Sequence, residues 1–352
     1  MSGAELRLAL VGAGAVAEKR YLPAASGLEE LAVTHLVDLD LERARRLAAE
    51  HGVPHAAREV EEVLDDVDAA VVATPPSTHR ALATACLERG VHVLCEKPLA
   101  ADPNEARAMV EAARGADALL SVGMIWRLSR SARLLRRCVD LGLPGEIRRV
   151  EAEHGGAFGW PVRGGHIFDA AQGGVLRDTG VHLLDLVFWV VGAEEARVDD
   201  YRDDSWGGAE ANARVELEIE TGGAASGGDV EVSFTRELEN RVRIRGAAGT
   251  LEAPTLGGGE AMFRPAGEET RIRLIEGDGS ARSRTEDFAL QLRTFARAVR
   301  EGGPAPVPSA SAVLPLAVIA ECHRLRRPEV RAWEAPPRDP GAGPPEPAES
   351  RA

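Results

Sequence analysis

Lysine is nearly absent from this chain of 352 residues. Of its 42 lysine and arginine residues, only Lys19 and Lys97 are lysines. Arginine therefore supplies the ordinary surface cations, and a lysine inside a motif indicates a need for a compact ammonium whose pKa can shift. The simpler explanation is that Lys97 was retained by chance. The motifs around Lys97 decide between chance and a functional role.

Cysteines and long apolar runs are also scarce. The four cysteines form no CxxC pair and no zinc-like spacing, which predicts buried thiols, a reducing compartment and no metal site. No run approaches the ~18 apolar residues of a membrane span, and the N-terminus lacks the basic start of a signal peptide. These absences predict a cytoplasmic protein without a membrane partner.

Acidic side chains are in excess, and the formal net charge is -14 at pH 7. This charge argues against binding to nucleic acid or to an anionic membrane, because both reward basic surfaces. Hydrophobic residues make up 44% of the chain and charged residues 28%, as in a globular protein, while aromatics reach only 4%. The length predicts two domains.

The clearest local signal near the N-terminus is a glycine-rich turn between a strand and a helix. An apolar strand is predicted at residues 6–11, and G-x-G-x-x-A follows directly. Gly12 permits a tight turn, Gly14 lets the backbone approach a pyrophosphate, and the helix N-terminus attracts the phosphates. The motif predicts a dinucleotide site with contacts from Gly12, Gly14, Ala15 and Val16.

An acid ends the second predicted strand, at residues 32–37. Asp38 lies ~20 residues beyond the glycine turn, where a carboxylate receives the adenosine ribose hydroxyls. A carboxylate there would repel the ribose phosphate of NADP, so NAD is the favoured cofactor. Arg43 and Arg45 lie a turn later and leave NADP as the less favoured alternative. Asp38 as a simple helix cap is the competing explanation.

Two further strand ends are predicted to reach the cofactor. Residues 68–73 form an apolar strand, after which Ser77 is the expected helix cap. Residues 91–95 form the next strand, and Pro98 ends it because proline donates no backbone hydrogen bond. Ligands bind at the carboxyl ends of such strands. The predicted contacts are Thr74, Pro75, His79, Glu96 and Lys97.

The first domain is predicted to cover residues 1–124, with helices near residues 59–64 and 103–114 and a last strand at 118–122. A substrate-binding α+β domain follows at 125–334, and the proline-rich and glycine-rich tail, 335–352, should be disordered. The second domain begins with an amphipathic helix at 129–141. Alternating runs then predict a large, mostly antiparallel open sheet, with a glycine-rich turn at 221–228. Its strands are expected at 146–153, 195–201, 213–220, 229–237, 241–245 and 271–275, with helices at 287–300 and 310–326.

One segment of the second domain interrupts the strands. Residues 173–191 form a predicted loop that leads into a buried helix. Asp178 and His182 are four residues apart, so both can face one way near the helix start. A histidine on an apolar helix is usually a core residue, but the preceding acid and glycines favour a chemical role here.

These motifs together resemble the glucose-fructose oxidoreductase and inositol dehydrogenase family of two-domain sugar and cyclitol oxidoreductases. The resemblance covers most of residues 5–328 and implies a Rossmann domain of doubly wound parallel sheet beside the α+β domain. It rests on four segments: residues 12–17, 73–79, 96–98, and 174–182 with Asp185.

The resemblance also implies roles for individual residues. Lys97 would bridge the cofactor ribose and the substrate, His182 would accept the proton, and Asp178 would position substrate or lysine. The open sheet would pack against another subunit, giving a homodimer or homotetramer. Residues 124–127 depart from the family pattern, and we predict that Arg127, and Trp160 in the loop 158–163, also contact the substrate.

Three functions remain open at this point. The first is an NAD-dependent dehydrogenase that acts on a secondary hydroxyl of a sugar, nucleotide-sugar or (amino)cyclitol. The second is a glycoside hydrolase that oxidises its substrate transiently, and the third is a non-catalytic NAD-dependent binding protein. The presence of both Lys97 and His182 weighs against the third. Net formation of NADH separates the first from the second.

Overall fold

The first sheet contains six parallel strands. A computed structural model describes residues 5–161, 165–169, 173–205 and 208–326. The strands are β1 (Leu6–Val11), β2 (Leu31–Val37), β3 (His55–Ala57), β4 (Ala69–Val72), β5 (His92–Cys95) and β6 (Leu120–Val122). Their order is β3-β2-β1-β4-β5-β6, a doubly wound arrangement. The predicted Rossmann fold is confirmed, although β3 was missed because its three residues show no alternation.

Four helices connect these strands: α1 (Leu22–Ala25), α2 (Leu41–His51), α3 (Pro76–Glu88) and α4 (Pro103–Gly115). The carboxylate of Asp102 caps α4 by accepting the N–H groups of Asn104 and Glu105 at 2.7 and 3.1 Å. The cap predicted at Ser77 is wrong. Pro75 is the N-cap of α3, because Pro76 suits the first helical position, where no N–H is needed.

The helix predicted at 59–64 is also wrong. Only a single 3₁₀ turn, Val60–Glu62, forms there. Glu59 and Glu62 satisfy each other's backbone N–H groups in a capping box, so the first turn is well capped. The turn nevertheless ends at Val63, which leaves helical geometry.

The second sheet contains eight strands. They are β7 (Ile147–Gly155), β8 (Glu195–Asp203), β9 (Asn212–Thr221), β10 (Ala224–Ser233), β11 (Arg241–Gly246), β12 (Gly249–Pro254), β13 (Glu260–Pro265) and β14 (Ile272–Ile275). Their order is β14-β13-β12-β11-β7-β10-β9-β8. Only β7 and β10 pair in parallel, so the predicted mostly antiparallel sheet is confirmed.

Three details of this sheet differ from the prediction. The turn predicted at 221–228 is a two-residue hairpin at Gly222 and Gly223, whose φ values of 56° and 79° suit such a turn. β10 therefore starts at Ala224 and runs through two glycines that resemble turn residues in the sequence. β12 and β13 were missed because their alternating runs are short and are flanked by glycine and proline.

Helices cover one face of the second sheet. They are α5 (Arg130–Asp140), α6 (Val181–Val191) and α8 (Val313–Leu325), and a further helix, α7 (Arg284–Glu301), precedes α8. α5 packs on β12 and β13, and α6 packs on β7. α7 contacts α1, and α8 contacts α4, so the end of the described chain returns to the first sheet. The core is thereby continuous between the two sheets.

The opposite face of the second sheet carries charged side chains in pairs. Arg243 bonds to Glu252 at 2.6 Å and to Glu151 at 3.3 Å across three neighbouring strands. This face is therefore polar.

Among the described residues, no helix combines the length and the apolar character needed to cross a bilayer. The four cysteines are unpaired and buried, and the predicted tail, 335–352, lies outside the described residues.

Candidate active site

A cavity of about 680 Å³ lies where the two sheets meet. The first sheet contributes the glycine turn and the ends of β4 and β5. The second contributes the end of β7, the loop after it and the segment that enters α6. Predicted site residues that line the cavity are Gly14, Ala15, Val16, Thr74, Pro75, Glu96, Lys97, Trp160, Asp178 and His182.

The glycine turn has the shape that a dinucleotide requires. Gly12 has φ 104°, and a Cβ there would come within 2.6 Å of the Ala73 carbonyl oxygen, so only glycine fits. At Gly14 a Cβ would meet no atom within 4 Å, and the backbone is open to the cavity. Bare backbone at the start of a helical segment is the cradle that a pyrophosphate needs. The residues present therefore fit an NAD(P) cofactor.

Asp38 fastens the glycine turn to the end of β2. Its Oδ2 accepts the N–H of Ala13 at 2.7 Å, and its Oδ1 accepts from Asp40 N at 2.9 Å and Arg43 Nη2 at 2.6 Å. Burial opposes ionisation of Asp38, but these hydrogen bonds outweigh it and hold the carboxyl pKa below its usual range. Asp38 does not cap α2, because Asp40 is the N-cap.

His79 does not line the cavity, contrary to the prediction of a cofactor contact. The side chain is 0% exposed, and its two ring nitrogens lie 3.0 Å from the Pro98 carbonyl oxygen and 2.8 Å from the Thr74 carbonyl oxygen, of which a neutral ring can donate to one at a time. Burial lowers its pKa despite these contacts. His79 instead ties together the two loops that carry Thr74 and Lys97.

Lys97 and Asp178 meet across the cavity. The Lys97 Nζ donates to Asp178 Oδ1 at 2.7 Å and to the Asp178 carbonyl oxygen at 3.0 Å. The lysine side chain remains 19% exposed. Behind it, the buried Glu96 accepts hydrogen bonds from Tyr21 Oη at 2.6 Å and from Lys97 N at 3.0 Å. Burial raises the pKa of Glu96, while both hydrogen bonds oppose the rise.

His182 lies flat against an indole ring. Its ring is 7° from parallel to that of Trp126, with 5.0 Å between centroids, and the residue is 8% exposed. Nδ1 is buried without a hydrogen-bond partner in the described part of the chain. Burial, followed by the positive charges of Lys97 and Arg284, lowers the pKa of His182 well below its usual value. The imidazole is therefore neutral near pH 7.

Asp178 and His182 come from one irregular helix. A π-helical turn, Leu176–Gly180, continues directly into α6, and such turns occur frequently at functional sites. The preceding loop is held by Glu210, whose carboxylate accepts Leu176 N at 3.1 Å and pairs with Arg326 at 2.5 Å. A side chain at Gly174 would overlap this carboxylate. Glu210 was not predicted as a site residue, because it is a single acidic residue in the loop before β9 and belongs to no motif.

Arg127 does not reach the cavity, contrary to the predicted substrate contact. It is buried, and its guanidinium forms two hydrogen bonds with the Asp185 carboxylate, at 2.7 and 2.5 Å. This pair locks the turn after β6 to α6. The neighbouring Trp126 faces the cavity instead. Adjacent residues in a 3₁₀ turn point in different directions, and the sequence alone did not show which one faces inward.

Three titratable lining residues that lie outside the motifs were not predicted: Arg20, His154 and Arg284. His154 Nδ1 lies 2.8 Å from Thr255 Oγ1, which donates its own proton to the Asn240 carbonyl. His154 Nδ1 therefore donates, and Nε2 is left as an acceptor. Burial lowers the His154 pKa to about 4. No local motif marks these residues.

The loop after β7, whose residues 158–163 the sequence suggests as a candidate substrate wall, forms one side of the cavity, and a substrate contact there stays a prediction. Phe158, Gly159, Trp160 and Pro161 line the cavity. Val162 and Arg163, which belong to the same predicted wall, lie outside the described residues.

Comparison with known proteins gives two family matches. Residues 6–124 match the oxidoreductase family with NAD-binding Rossmann fold, and residues 132–252 match the GFO/IDH/MocA C-terminal domain. The chain is 32% identical over 315 residues to inositol 2-dehydrogenase 1 from Saccharopolyspora erythraea, covering 84% of this chain and 87% of that protein.

Two solved structures share the fold at 23% identity. An aldose-aldose oxidoreductase from Caulobacter crescentus, complexed with glycerol, aligns with a TM-score of 0.79 over 92% of this chain and 97% of that chain. A 3-ketoreductase from Actinomadura kijaniata, in complex with NADP and TDP-benzene, aligns with a TM-score of 0.75 over 90% of this chain and 97% of that chain.

Proposed function

We propose that this chain, which belongs to the GFO/IDH/MocA family of oxidoreductases, uses NAD to interconvert a secondary hydroxyl and a ketone on a sugar or cyclitol. The observation that carries the proposal is that Lys97, Asp178 and His182 line the same cavity as the glycine turn. The names of the relatives, an inositol dehydrogenase and an aldose oxidoreductase, support this substrate class.

Each of the three side chains has a chemical task in this proposal. NAD, when bound through Gly14, Ala15 and Val16, supplies the hydride acceptor. His182 takes the hydroxyl proton, since its lowered pKa keeps the imidazole neutral. Lys97 donates hydrogen bonds to the oxygen as it gains negative charge. Asp178 fixes the ammonium through the 2.7 Å contact, so that little reorganisation is needed during the reaction.

The proposal is tested with a panel of cyclitols, sugars and nucleotide sugars incubated with NAD and followed by NADH absorbance. Net NADH from at least one polyol supports a dehydrogenase. Cleavage of a glycoside without net NADH would instead support the hydrolase with transient oxidation. Tight NAD binding with no turnover of any compound, in either direction, would contradict both and leave a binding protein.

We propose NAD in preference to NADP because Asp38 places a carboxylate at the end of β2. Arg43 pairs with this carboxylate at 2.6 Å and neutralises part of its charge. Asp38→Ala should therefore reduce the difference between NAD and NADP affinity. The substitution removes the carboxylate that would repel the ribose phosphate of NADP, and it frees the Arg43 guanidinium to bind that phosphate. Calorimetric titration of both cofactors measures the difference.

A matched control for this prediction is Asp40→Ala, which removes a neighbouring carboxylate that caps α2 without contacting the glycine turn. We expect it to lower stability while leaving the ratio of NAD to NADP affinity unchanged. Tighter binding of NADP than NAD by the unaltered protein would contradict the assignment of Asp38.

We also propose that the open face of the second sheet joins copies of this chain into a homodimer or homotetramer, as the family resemblance implies. The outward side chains are charged, so apolar burial does not drive this contact. Light scattering at micromolar concentration and low salt should give a multiple of 37.4 kDa. The mass should fall at high salt, because salt screens exposed charges. A monomer mass at low salt is the contrary result.

A further inference from the structure

The cavity holds more positive than negative side chains, although the whole chain is acidic. Its cations are Arg20, Lys97, Arg177 and Arg284, and its acids are Glu96 and Asp178. Asp178 is paired with Lys97, and Glu96 accepts hydrogen bonds from Tyr21 and the Lys97 backbone. Both acids therefore already have partners on the Lys97 side of the cavity.

Two of the cations lack such partners. Neither Arg20 nor Arg284 forms a hydrogen bond or an ion pair within the ranges that the structure describes. The two acids in the first turn of α7 bond elsewhere: Glu286 accepts from Ser283 N at 2.7 Å, and Asp287 accepts from Arg282 at 3.0 Å. Arg177 differs from both, because it donates to the Ala101 carbonyl at 2.8 Å.

Three other sheltered arginines of this chain are matched with carboxylates. Arg127 pairs with Asp185, Arg282 with Asp287, and Arg326 with both Asp203 and Glu210. An unmatched guanidinium in a partly buried position is costly, since burial disfavours the charged form. Arg284 shows this cost, because burial lowers its pKa and the charge of Arg20 lowers it further, although the nearby charge of Asp287 opposes the fall. The pair is therefore poised for an external anion.

Arg20 belongs to the Ala17–Tyr21 segment that follows the glycine turn, but the residues beside both arginines belong to the predicted substrate side of the cavity. Arg284 lines the cavity together with His154 and His182, and its charge acts on both rings. Arg20 lies 5.0 Å from the ring centre of Trp160 in the predicted substrate wall. The pyrophosphate would occupy the open backbone at Gly14. An anion held by Arg284 and Arg20 would thus belong to the substrate.

We infer, resting on the proposed function, that the substrate is an acidic sugar or cyclitol whose carboxylate or phosphate is bound by Arg284 and Arg20 while its reacting hydroxyl faces His182. The planar guanidinium offers parallel N–H donors that match both anions. Arg20, stacked on Trp160, keeps its donor edge free. Neutral polyols would leave both guanidinium groups without partners, so the site selects against them.

The test compares each acid with its neutral parent on NAD-loaded protein. Titration calorimetry with D-glucuronate, D-glucose 6-phosphate and D-glucose should show at least one acid bound about 10- to 100-fold more tightly than glucose, the range for charge-assisted hydrogen bonds. A preference for glucuronate alone assigns the anion as a carboxylate, and one for the phosphate assigns a phosphoryl group. Arg284→Gln should abolish the preference, and Arg284→Lys should retain part of it.

Arg297→Gln is the matched control, because Arg297 is an exposed arginine on the same helix, α7, outside the cavity. It should keep the full preference. Binding of glucose as tightly as both acids, absence of binding by either acid, or an unchanged preference in Arg284→Gln would each overturn the inference. NADH formation from neutral polyols with those results would leave the proposed oxidoreductase standing. Anion binding without NADH from any compound would contradict the proposed function alone.

Discussion

Lys97→Arg is expected to lower turnover about 100- to 1,000-fold, although it keeps the positive charge. The loss corresponds to about 3 to 4 kcal/mol, the typical value of one transition-state hydrogen bond. The Lys97 ammonium reaches two oxygens of Asp178, at 2.7 and 3.0 Å, in a side chain that is only 19% exposed. A planar, larger guanidinium does not reproduce that geometry or leave the same donor for substrate.

Steady-state kinetics with a confirmed substrate measures this effect, and calorimetry follows the cofactor. Lys97→Ala should lose as much turnover and also bind cofactor or substrate somewhat more weakly. The chain provides its own control in Lys19, the other lysine, which is exposed. Lys19→Arg should behave like the unaltered protein. Near-normal turnover in Lys97→Arg would show that the alkoxide is stabilised elsewhere.

His182→Ala should lower turnover about 100- to 10,000-fold, the range for loss of a general base, while NAD affinity stays unchanged. The ring belongs to the second sheet's side of the cavity and stacks on Trp126, away from the glycine turn. Its loss therefore removes a proton acceptor and leaves the cofactor cradle intact. His51→Ala, at the exposed end of α2, is the control for a histidine outside the cavity.

The pH profile gives a second measurement of the role of His182. Its pKa lies well below the usual histidine value, so the neutral form persists as pH falls through 6.5. Alcohol oxidation should hold its kcat/KM at pH 6.5 and decline only well below it, where the imidazole becomes protonated. Ketone reduction needs the protonated ring and should show the opposite trend. The fall of kcat/KM at low pH should be absent in His182→Ala. If the variant shows the same fall, the titrating group is another residue.

Short motifs made part of the site predictable. A few consecutive residues identify the strand, turn and helix at the N-terminus. The same is true of the strand that stops at Glu96, Lys97 and Pro98. Asp178 and His182 are four apart on one helical segment, so their common direction follows from helix geometry. The structure brings all of these residues to one cavity, although their chemical roles and the domain boundaries remain predictions.

Errors arose where a side chain's direction depended on its packing. His79 and Arg127 each neighbour residues that line the cavity, but both point into the protein, where carbonyl oxygens and Asp185 satisfy them. Burial of these polar groups is tolerated only because hydrogen-bond partners are present. Asp185 is 58 residues from Arg127 and Pro98 is 19 residues from His79, so local sequence patterns do not show which way either side chain points.

The sequence by itself determined the two-sheet fold class, the dinucleotide turn and the Lys97, Asp178 and His182 set, because periodicity and strand-end chemistry are local. Only the tertiary structure decided which cations meet in the cavity. Arg20 and Arg284 are 264 positions apart, and α7 brings them together by packing back on α1. Whether a charged side chain has a partner depends on its distance to neighbours in the folded chain. The order of residues does not contain those distances.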